Sequence, residues 1–254
     1  MRQPAVQSFR ERIRSGDVLV GAFVKTPAFH AIELLGLGGL DFVVADREHA
    51  PISNADLDSQ VLAAARSRVG LIVRVPALSA PDIAAALDLG CGGVVVPHIR
   101  NEHDAQSVLD AALFERGKRG FSPSARAGGY GTTPPRDYRE RSDGDAVIMV
   151  QIEDGEALDR LDQIAAEDVD VLFIGPADLA LSLGVDAGDP KLLDSITKIA
   201  AAGARHGRAV AIFIVSPAQI STYRELGISL FVCGSDQGML VDGARRLVEA
   251  ARPS

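Results

Sequence analysis

Short runs of Val, Ile, Leu and Phe recur along the chain, each bounded by Gly, Pro, Asp or Asn, at residues 18–24, 42–46, 71–75, 94–97, 147–153, 171–175, 210–215 and 230–234. Most are continuous rather than alternating, as strands covered on both faces must be, so they predict a parallel sheet. Helical spacing of apolar residues fills the gaps, for example at 28–37, 54–66, 81–89, 192–205, 218–226 and 240–251. Residues 155–167 show it clearly, with Leu158, Leu161, Ile164 and Ala165 at i, i+3, i+6 and i+7. Eight strand-then-helix units in 254 residues match a (β/α)8 TIM barrel in number and length, which makes residues 1–254 a single domain. A doubly wound sheet is the alternative. It calls for fewer strands and a GxGxxG turn after the first, and the turn after Val24 has none.

One connection breaks the pattern. Residues 114–141 have no apolar period and are rich in Gly and Pro, which suggests an active-site lid or binding loop. Its charge is also inverted: Arg116, Lys118, Arg119, Arg126, Arg136, Arg139 and Arg141 stand against Glu115, Asp137 and Glu140, in a protein of net charge −8. Such a loop is expected to attract a small anion. Arg126, flanked by Ala125, Ala127 and glycines, is the arginine selected as a substrate contact, the others reading as solvated surface. The acidic balance argues against nucleic acid as a partner. No apolar run approaches the roughly 18 residues of a membrane span. The start, Met1-Arg2-Gln3-Pro4, leads into charged Arg10-Glu11-Arg12 rather than an apolar signal core, so a cytoplasmic location is expected. Cys91 and Cys233, far apart and without CxxC spacing, read as buried thiols.

In a parallel barrel the reactive groups lie where strands end. Those positions hold Lys25, then Asp46-Arg47-Glu48-His49, Arg74, Pro97, Gln151 and Glu153, Gly175 to Asp178, Ser216 and Asp236. The unit from Gln151 to Asp178 is one βαβ. If its strands are neighbours, their ends lie on the order of 5 Å apart, and Glu153 and Asp178 can meet at one point. Two carboxylates there make a hard-oxygen site for Mg2+ or Mn2+, and Gln151 shares the face of Glu153. Structural pairing of both acids with rim arginines is the alternative. His49, read as the one histidine at a strand end, suits general acid/base work; capping the next helix is its other reading. Arg74 closes an apolar run, where a cation needs an anion to face, whether substrate or Asp46 or Glu48. The Gly175-Pro176-Ala177-Asp178 turn offers backbone N–H groups from Ala177 and Asp178 that could hold a carboxylate. Asp88 by itself reads as an ordinary polar helix position. A metal, a base and a cation together suit a reaction through an enolate, the metal polarising a 2-oxo acid and the arginine neutralising the oxyanion. A metal-dependent receptor for small carboxylic acids, without turnover, is the non-catalytic reading.

Asp46-x-Glu48-His49-Ala50-Pro51, the Arg74 strand, Leu87-Asp88-Leu89-Gly90 before Val94-Val95-Val96-Pro97, Gln151-Ile152-Glu153 and Phe173-Ile174-Gly175-Pro176-Ala177-Asp178-Leu179 together resemble the HpcH/HpaI family of metal-dependent pyruvate aldolases over nearly the whole chain. The resemblance implies a class II aldolase that splits 4-hydroxy-2-oxo acids into pyruvate and an aldehyde, or runs the reverse addition. It implies His49 as base, Arg74 as transition-state cation and Asp88 as the carboxylate that raises the histidine's basicity. Glu153 and Asp178 become metal ligands, with Mg2+ or Mn2+ favoured and Co2+ admissible. Pyruvate contacts fall on Gln151, Ala177 and Asp178, beside Gly175. A homohexamer with sites near subunit boundaries is implied as well. A lyase acting on acyl-CoA thioesters shares the metal-and-arginine logic and is the second enzyme reading. Arg47 and Lys25 depart from the family pattern; both add positive charge near the mouth, which could favour an acidic aldehyde, while Arg47 could equally point outward into a subunit contact. A Schiff-base role for Lys25 is the weaker alternative.

Overall fold

The computed structural model describes residues 8–252; the expected domain's ends, including Met1-Arg2-Gln3-Pro4, lie outside them. In chain order the elements are α1 (Phe9–Arg14), β1 (Leu19–Val24), α2 (His30–Leu37), β2 (Phe42–Asp46), α3 (Asn54–Ser67), β3 (Gly70–Arg74), α4 (Ala80–Asp88), β4 (Gly93–Val96) and α5 (Glu102–Ala112). There follow α6 (Pro135–Asp145), β5 (Val147–Ile152), α7 (Leu161–Ala166), β6 (Val171–Ile174), α8 (Pro176–Leu183), α9 (Pro190–His206), β7 (Ala209–Ile214), α10 (Ile220–Glu225), β8 (Leu230–Ser235) and α11 (Asp236–Ala251). Every strand pairs in parallel with its sequence neighbours, and β8 returns to β1 to close an eight-stranded barrel. The architecture is the (β/α)8 barrel that the apolar runs predict, each strand within a residue or two of its expected bounds.

Strand periodicity divides the core into two shells. Val43, Ala45, Val73, Val94 and Val96 point outward under the helices. Phe42, Val44, Ile72, Val147, Met149 and Phe173 point inward and fill the barrel. Continuing the inward set past each strand end brings Lys25, Asp46, Arg74, Gln151, Glu153 and Gly175 to one rim. The period of two therefore selects the chemistry before any loop is considered. At the opposite end α1 closes the barrel: Ile13 enters the inner shell and Arg10, almost wholly buried, bonds Asp170 at 2.8 Å. Gly21 of β1 lies so near Phe42 that a Cβ there would sit 2.7 Å from its carbonyl oxygen and 2.8 Å from its ring. That close approach is what a glycine in a strand permits.

Residues 114–141 are more ordered than the loop expected from sequence. The segment contains a 3-10 turn (Arg126–Gly131) and runs into α6. Phe114, Phe121 and Tyr138 pack edge-on or tilted within 6 Å of one another. Its cations are largely spent on neighbours: Arg116 on Asp168, Lys118 on Asp110, Arg136 on Glu140 and Arg139 on Glu115. Because it connects a helix to the following strand, it begins and ends at the barrel's N-terminal face, away from the catalytic rim.

The last helix, α11, is unusual. Of its 16 residues only Asp236 is buried, while Met239, Leu240, Val241, Leu247 and Val248 are exposed. Among the described residues, no helix is long and apolar enough to cross a membrane.

Candidate active site

A cavity of about 490 Å³ opens at the C-terminal rim, lined by Lys25, His49, Arg74, Gln151, Gly175 and Asp178 among others, over a floor of Phe23, Phe173 and Phe213. The Phe23 ring meets Phe173 edge-on at 6.3 Å and Phe213 at 5.7 Å. This apolar floor seals the barrel interior and confines polar chemistry to the layer above.

One wall is built on Asp46, which is fully buried. Its carboxylate accepts hydrogen bonds from Arg74 Nε at 3.0 Å and Nη2 at 2.8 Å, and from the backbone N–H groups of Glu48 and His49. Lys25 Nζ lies 3.3 Å from its Oδ2. Burial pushes the Asp46 carboxyl up, but the hydrogen bonds and charge of Arg74, the His49 N–H and the Lys25 charge together hold it below the ordinary carboxylate range. Arg74 is stacked 4.5 Å above the Phe23 ring centroid, and its Nη1 approaches Glu48 Oε2 at 3.2 Å without completing a hydrogen bond. Two of its five N–H donors are engaged by Asp46 and the rest stay available. The pairing with Asp46 and Glu48 foreseen for Arg74 thus coexists with its place in the cavity.

The opposite wall comes from β5 and β6. Glu153 is 2% exposed; its Oε1 accepts the His98 backbone N–H at 3.1 Å and its Oε2 the Gln151 amide. Burial lifts the Glu153 carboxyl above its ordinary range, and the negative charge of Asp178 lifts it further, against the His98 and Gln151 contributions. Asp178 stands in the first turn of α8, where the Ala177 and Asp178 N–H groups have no intrahelical acceptor. The sequence there reads as a turn; the structure makes it a helix start, with Pro176 at its first position. Gly175 leaves space: a Cβ on it would lie 2.7 Å from Glu153 Oε2 and 3.0 Å from Gln151 Nε2.

These residues fit a divalent cation. Two carboxylates converge without a neutralising arginine or lysine, and the buried Gln151 Oε1 has no hydrogen-bond partner. Among the described residues no group of three or more His, Cys, Asp or Glu is gathered to hold a metal, so most of the coordination sphere must be filled by other oxygens. That suits an ion such as Mg2+, which keeps several waters or substrate oxygens.

His49 lines the cavity with its side chain 54% exposed, Nε2 3.8 Å from Glu48 Oε2. His98 is also at a strand end, two residues after β4, so His49 is not the one histidine so placed. It adopts φ +56°, rare for a side-chain-bearing residue, and its Nδ1 lies 3.0 Å from Asp154 and 3.5 Å from Glu153. Burial lowers the His98 pKa, but Asp154, Glu153 and Glu48 together raise it above the ordinary value. Nothing in the apolar pattern marks it; only its position directly after β4 could have. Glu48, expected from sequence only as a possible partner of Arg74, links it to the two imidazoles.

Asp88 and Arg126 are not brought to this cluster within one chain. Asp88 ends α4, which runs back from the rim over roughly 13 Å at 1.5 Å per residue, so it lies toward the opposite end of the barrel from His49. There it bonds Arg119 and accepts the Tyr138 hydroxyl at 3.4 Å. Arg126 bonds Asp58 of α3 at 3.0 Å and stacks 5.5 Å from the Tyr130 ring centroid. Arg47 does not point into the mouth either: it bonds the Ile52 carbonyl and Asp82 of α4. Lys25 does line the cavity. Its Nζ is ion-paired with the buried Asp46 carboxylate, which favours the ammonium over the free amine that a nucleophilic lysine must present.

A closed (β/α)8 barrel carrying an imidazole, a guanidinium and a bare acid pair on its C-terminal rim has the organisation of a barrel lyase. Residues 19–243 match the family model HpcH/HpaI aldolase/citrate lyase, and the chain belongs to that family. Among curated proteins it is similar to the 5-keto-4-deoxy-D-glucarate aldolases of Enterobacter sp. (strain 638), 32% identical, and Klebsiella pneumoniae, 34% identical, each over 95% of both chains. The crystal structure of a family protein from Burkholderia cenocepacia J2315 superposes with a TM-score of 0.91 at 32% identity, covering 97% of this chain and 100% of that one. The protein is a carbon–carbon lyase of the aldolase class.

Proposed function

We propose that the protein cleaves, or in reverse forms, a 4-hydroxy-2-oxo acid, with pyruvate as the common fragment and Mg2+ or Mn2+ as the favoured cation, Co2+ being admissible. The carrying observation is that Glu153 and Asp178 lie close enough for their charges to interact, with no arginine or lysine paired to either, beside the cavity that Asp178, Arg74 and His49 line. A divalent cation held by Glu153 and Asp178 supplies Lewis-acid polarisation of the 2-oxo group. The chain's own groups do the rest. The Ala177 and Asp178 N–H groups, with the Gln151 amide and the space at Gly175, hold the pyruvate carboxylate. Uncommitted N–H donors of Arg74 neutralise negative charge developing at the C2 oxygen. His49 takes the proton from the C4 hydroxyl in cleavage and returns it in addition. The substrates printed in the relatives' names are oxo-deoxy sugar acids, which fit this class.

A homo-oligomer, a hexamer by family resemblance, belongs to the same reading. The exposed apolar residues of α11 support it, since a monomer rarely leaves such a face uncovered. In such an assembly Asp88 and Arg126, on the flank of their own barrel, would serve a neighbour's His49 and cavity. The test uses metal-stripped protein with pyruvate in deuterium oxide: adding Mn2+ should start C3 deuterium exchange, visible by proton NMR, and EDTA should stop it. Borohydride with pyruvate should leave the protein active. Exchange indifferent to EDTA, or inactivation by borohydride, rejects the proposal.

A further inference from the structure

We infer that His98 is a positioning residue for the cation site: its backbone N–H and its imidazole together orient Glu153, so that affinity for the divalent ion depends on a side chain supplied from beyond β4. The inference rests on the aldolase reading, in which Glu153 is a metal ligand, and adds the group that holds that ligand in place.

Packing does not account for His98. Its side chain is half-exposed, and its φ of +56° is a conformation that persists only where surrounding contacts impose it. Those contacts are directed at β5 and the residues that follow it. The His98 N–H donates to Glu153 Oε1 at 3.1 Å, and the next N–H, that of Ile99, donates to the Gln151 carbonyl at 3.2 Å. The turn after β4 is thereby pinned to both polar residues of the metal-holding wall.

The ring adds what the backbone cannot. Its Nδ1 lies 3.0 Å from Asp154 Oδ2 and 3.5 Å from Glu153 Oε1, and its Nε2 lies 3.7 Å from Glu48 Oε1. Asp154 is itself held, since the same Oδ2 stands 3.3 Å from Arg100 Nε, so the imidazole leans on a fixed point. Among the described residues, His98 is the one basic side chain within ion-pair distance of Glu153.

The result is a division of labour between the two oxygens of Glu153. Oε1 faces His98, while Oε2 faces the Gln151 amide and the space left at Gly175. One oxygen is spent on orientation and the other is offered to the cation. A ligand held in this way has its rotamer set before the ion arrives, which is how groups behind a metal ligand raise affinity.

The experiment titrates Mn2+ into the full-length protein, followed by electron paramagnetic resonance, for the wild type, His98→Asn, His98→Gly and His98→Ala. Asn sets an amide nitrogen where Nδ1 stands and tolerates positive φ. Gly and Ala both lack the ring, the first without backbone strain and the second with it. Both should bind Mn2+ about 10- to 100-fold more weakly than the wild type, the usual cost of losing a group that orients a metal ligand, whereas His98→Asn should stay within about threefold. Pyruvate deuterium exchange by His98→Gly should return to nearly the wild-type rate once Mn2+ saturates the weakened site, with KM for pyruvate unchanged. Wild-type Mn2+ affinity in His98→Gly, or affinity in His98→Asn as weak as in His98→Gly, overturns the inference while exchange by the wild type still supports an aldolase. A wild type that binds no Mn2+ overturns both. Should His98→Ala fail to fold, the Gly and Asn variants decide.

Discussion

Replacing Asp46 by Asn tests the wall on which Arg74 is mounted. The substitution keeps the shape and one acceptor oxygen but removes a fully buried charge that receives two hydrogen bonds from Arg74, two from backbone N–H groups and an ion pair from Lys25. Removing one partner of a buried ion pair costs about 3–5 kcal/mol because the other charge is stranded. Arg74 and Lys25 would then face each other across a neutral amide, with Glu48 the remaining anion near Arg74. For a chain of this length about 1 kcal/mol corresponds to roughly 2–4 °C in Tm, so a fall of roughly 6–20 °C is expected. The pH dependence follows from the direction of the shift. The Asp46 carboxyl is held below its ordinary range in the folded protein, so it binds fewer protons folded than unfolded. Its stabilisation is complete above the unfolded value, near pH 4, and is lost as pH falls through the lower folded value. The gap in urea midpoint between wild type and Asp46→Asn should therefore be constant from pH 5 to 8 and close on further acidification. Pyruvate deuterium exchange should fall about 100-fold or more with the loss of a placed oxyanion donor. A variant that loses less than about 1 kcal/mol and exchanges at the wild-type rate would refute the assignment of Asp46 as the group that holds Arg74.

Gly175→Ala places a methyl group 2.7 Å from Glu153 Oε2, so manganese titrated by electron paramagnetic resonance should bind at least about tenfold more weakly, as when a group orienting a metal ligand is altered, with circular dichroism unchanged. His98→Asn should unfold at a higher temperature than His98→Val, by an amount equivalent to about 1–2 kcal/mol, because φ +56° suits Asn and strains a β-branched residue; equal melting temperatures would contradict the strain argument. Burial pushes the Cys91 thiol up to about 12, so in native protein at pH 8 a thiol reagent should modify Cys233 and leave Cys91 unreacted until denaturant is added.

The strands were legible because a doubly covered strand must be apolar throughout, and few other segments of this chain are. The rim was legible for the same reason: Asp46, Arg74 and Glu153 are conspicuous only because they terminate such runs. Helices fared worse where their polar content hides the period. α5 and α6 carry mostly polar residues on the outer face, and α8 begins with Gly-Pro, which signals a turn as strongly as it signals a helix start. Chain direction carries further information. A residue at the end of a helix that precedes a strand lies at the N-terminal end of the barrel, which separates Asp88 from His49, and the same logic starts residues 114–141 at the far face from the cavity. The conformation of His98 had no sequence signal, since positive φ outside Gly and Asn depends on what the surrounding loops demand.

The final helix carries a consequence of another kind. Since α11 buries only its first residue against its own barrel, packing within one chain gives residues 240–251 little reason to stay folded. In the proposed oligomer their order would become a property of the solution rather than of the sequence. Amide protection along that stretch should strengthen as protein concentration rises and fade on dilution, while the barrel strands keep theirs. Because Gly238, Met239 and Asp242 also border the cavity, dilution would loosen the entrance to the catalytic layer before it touched the chemistry beneath.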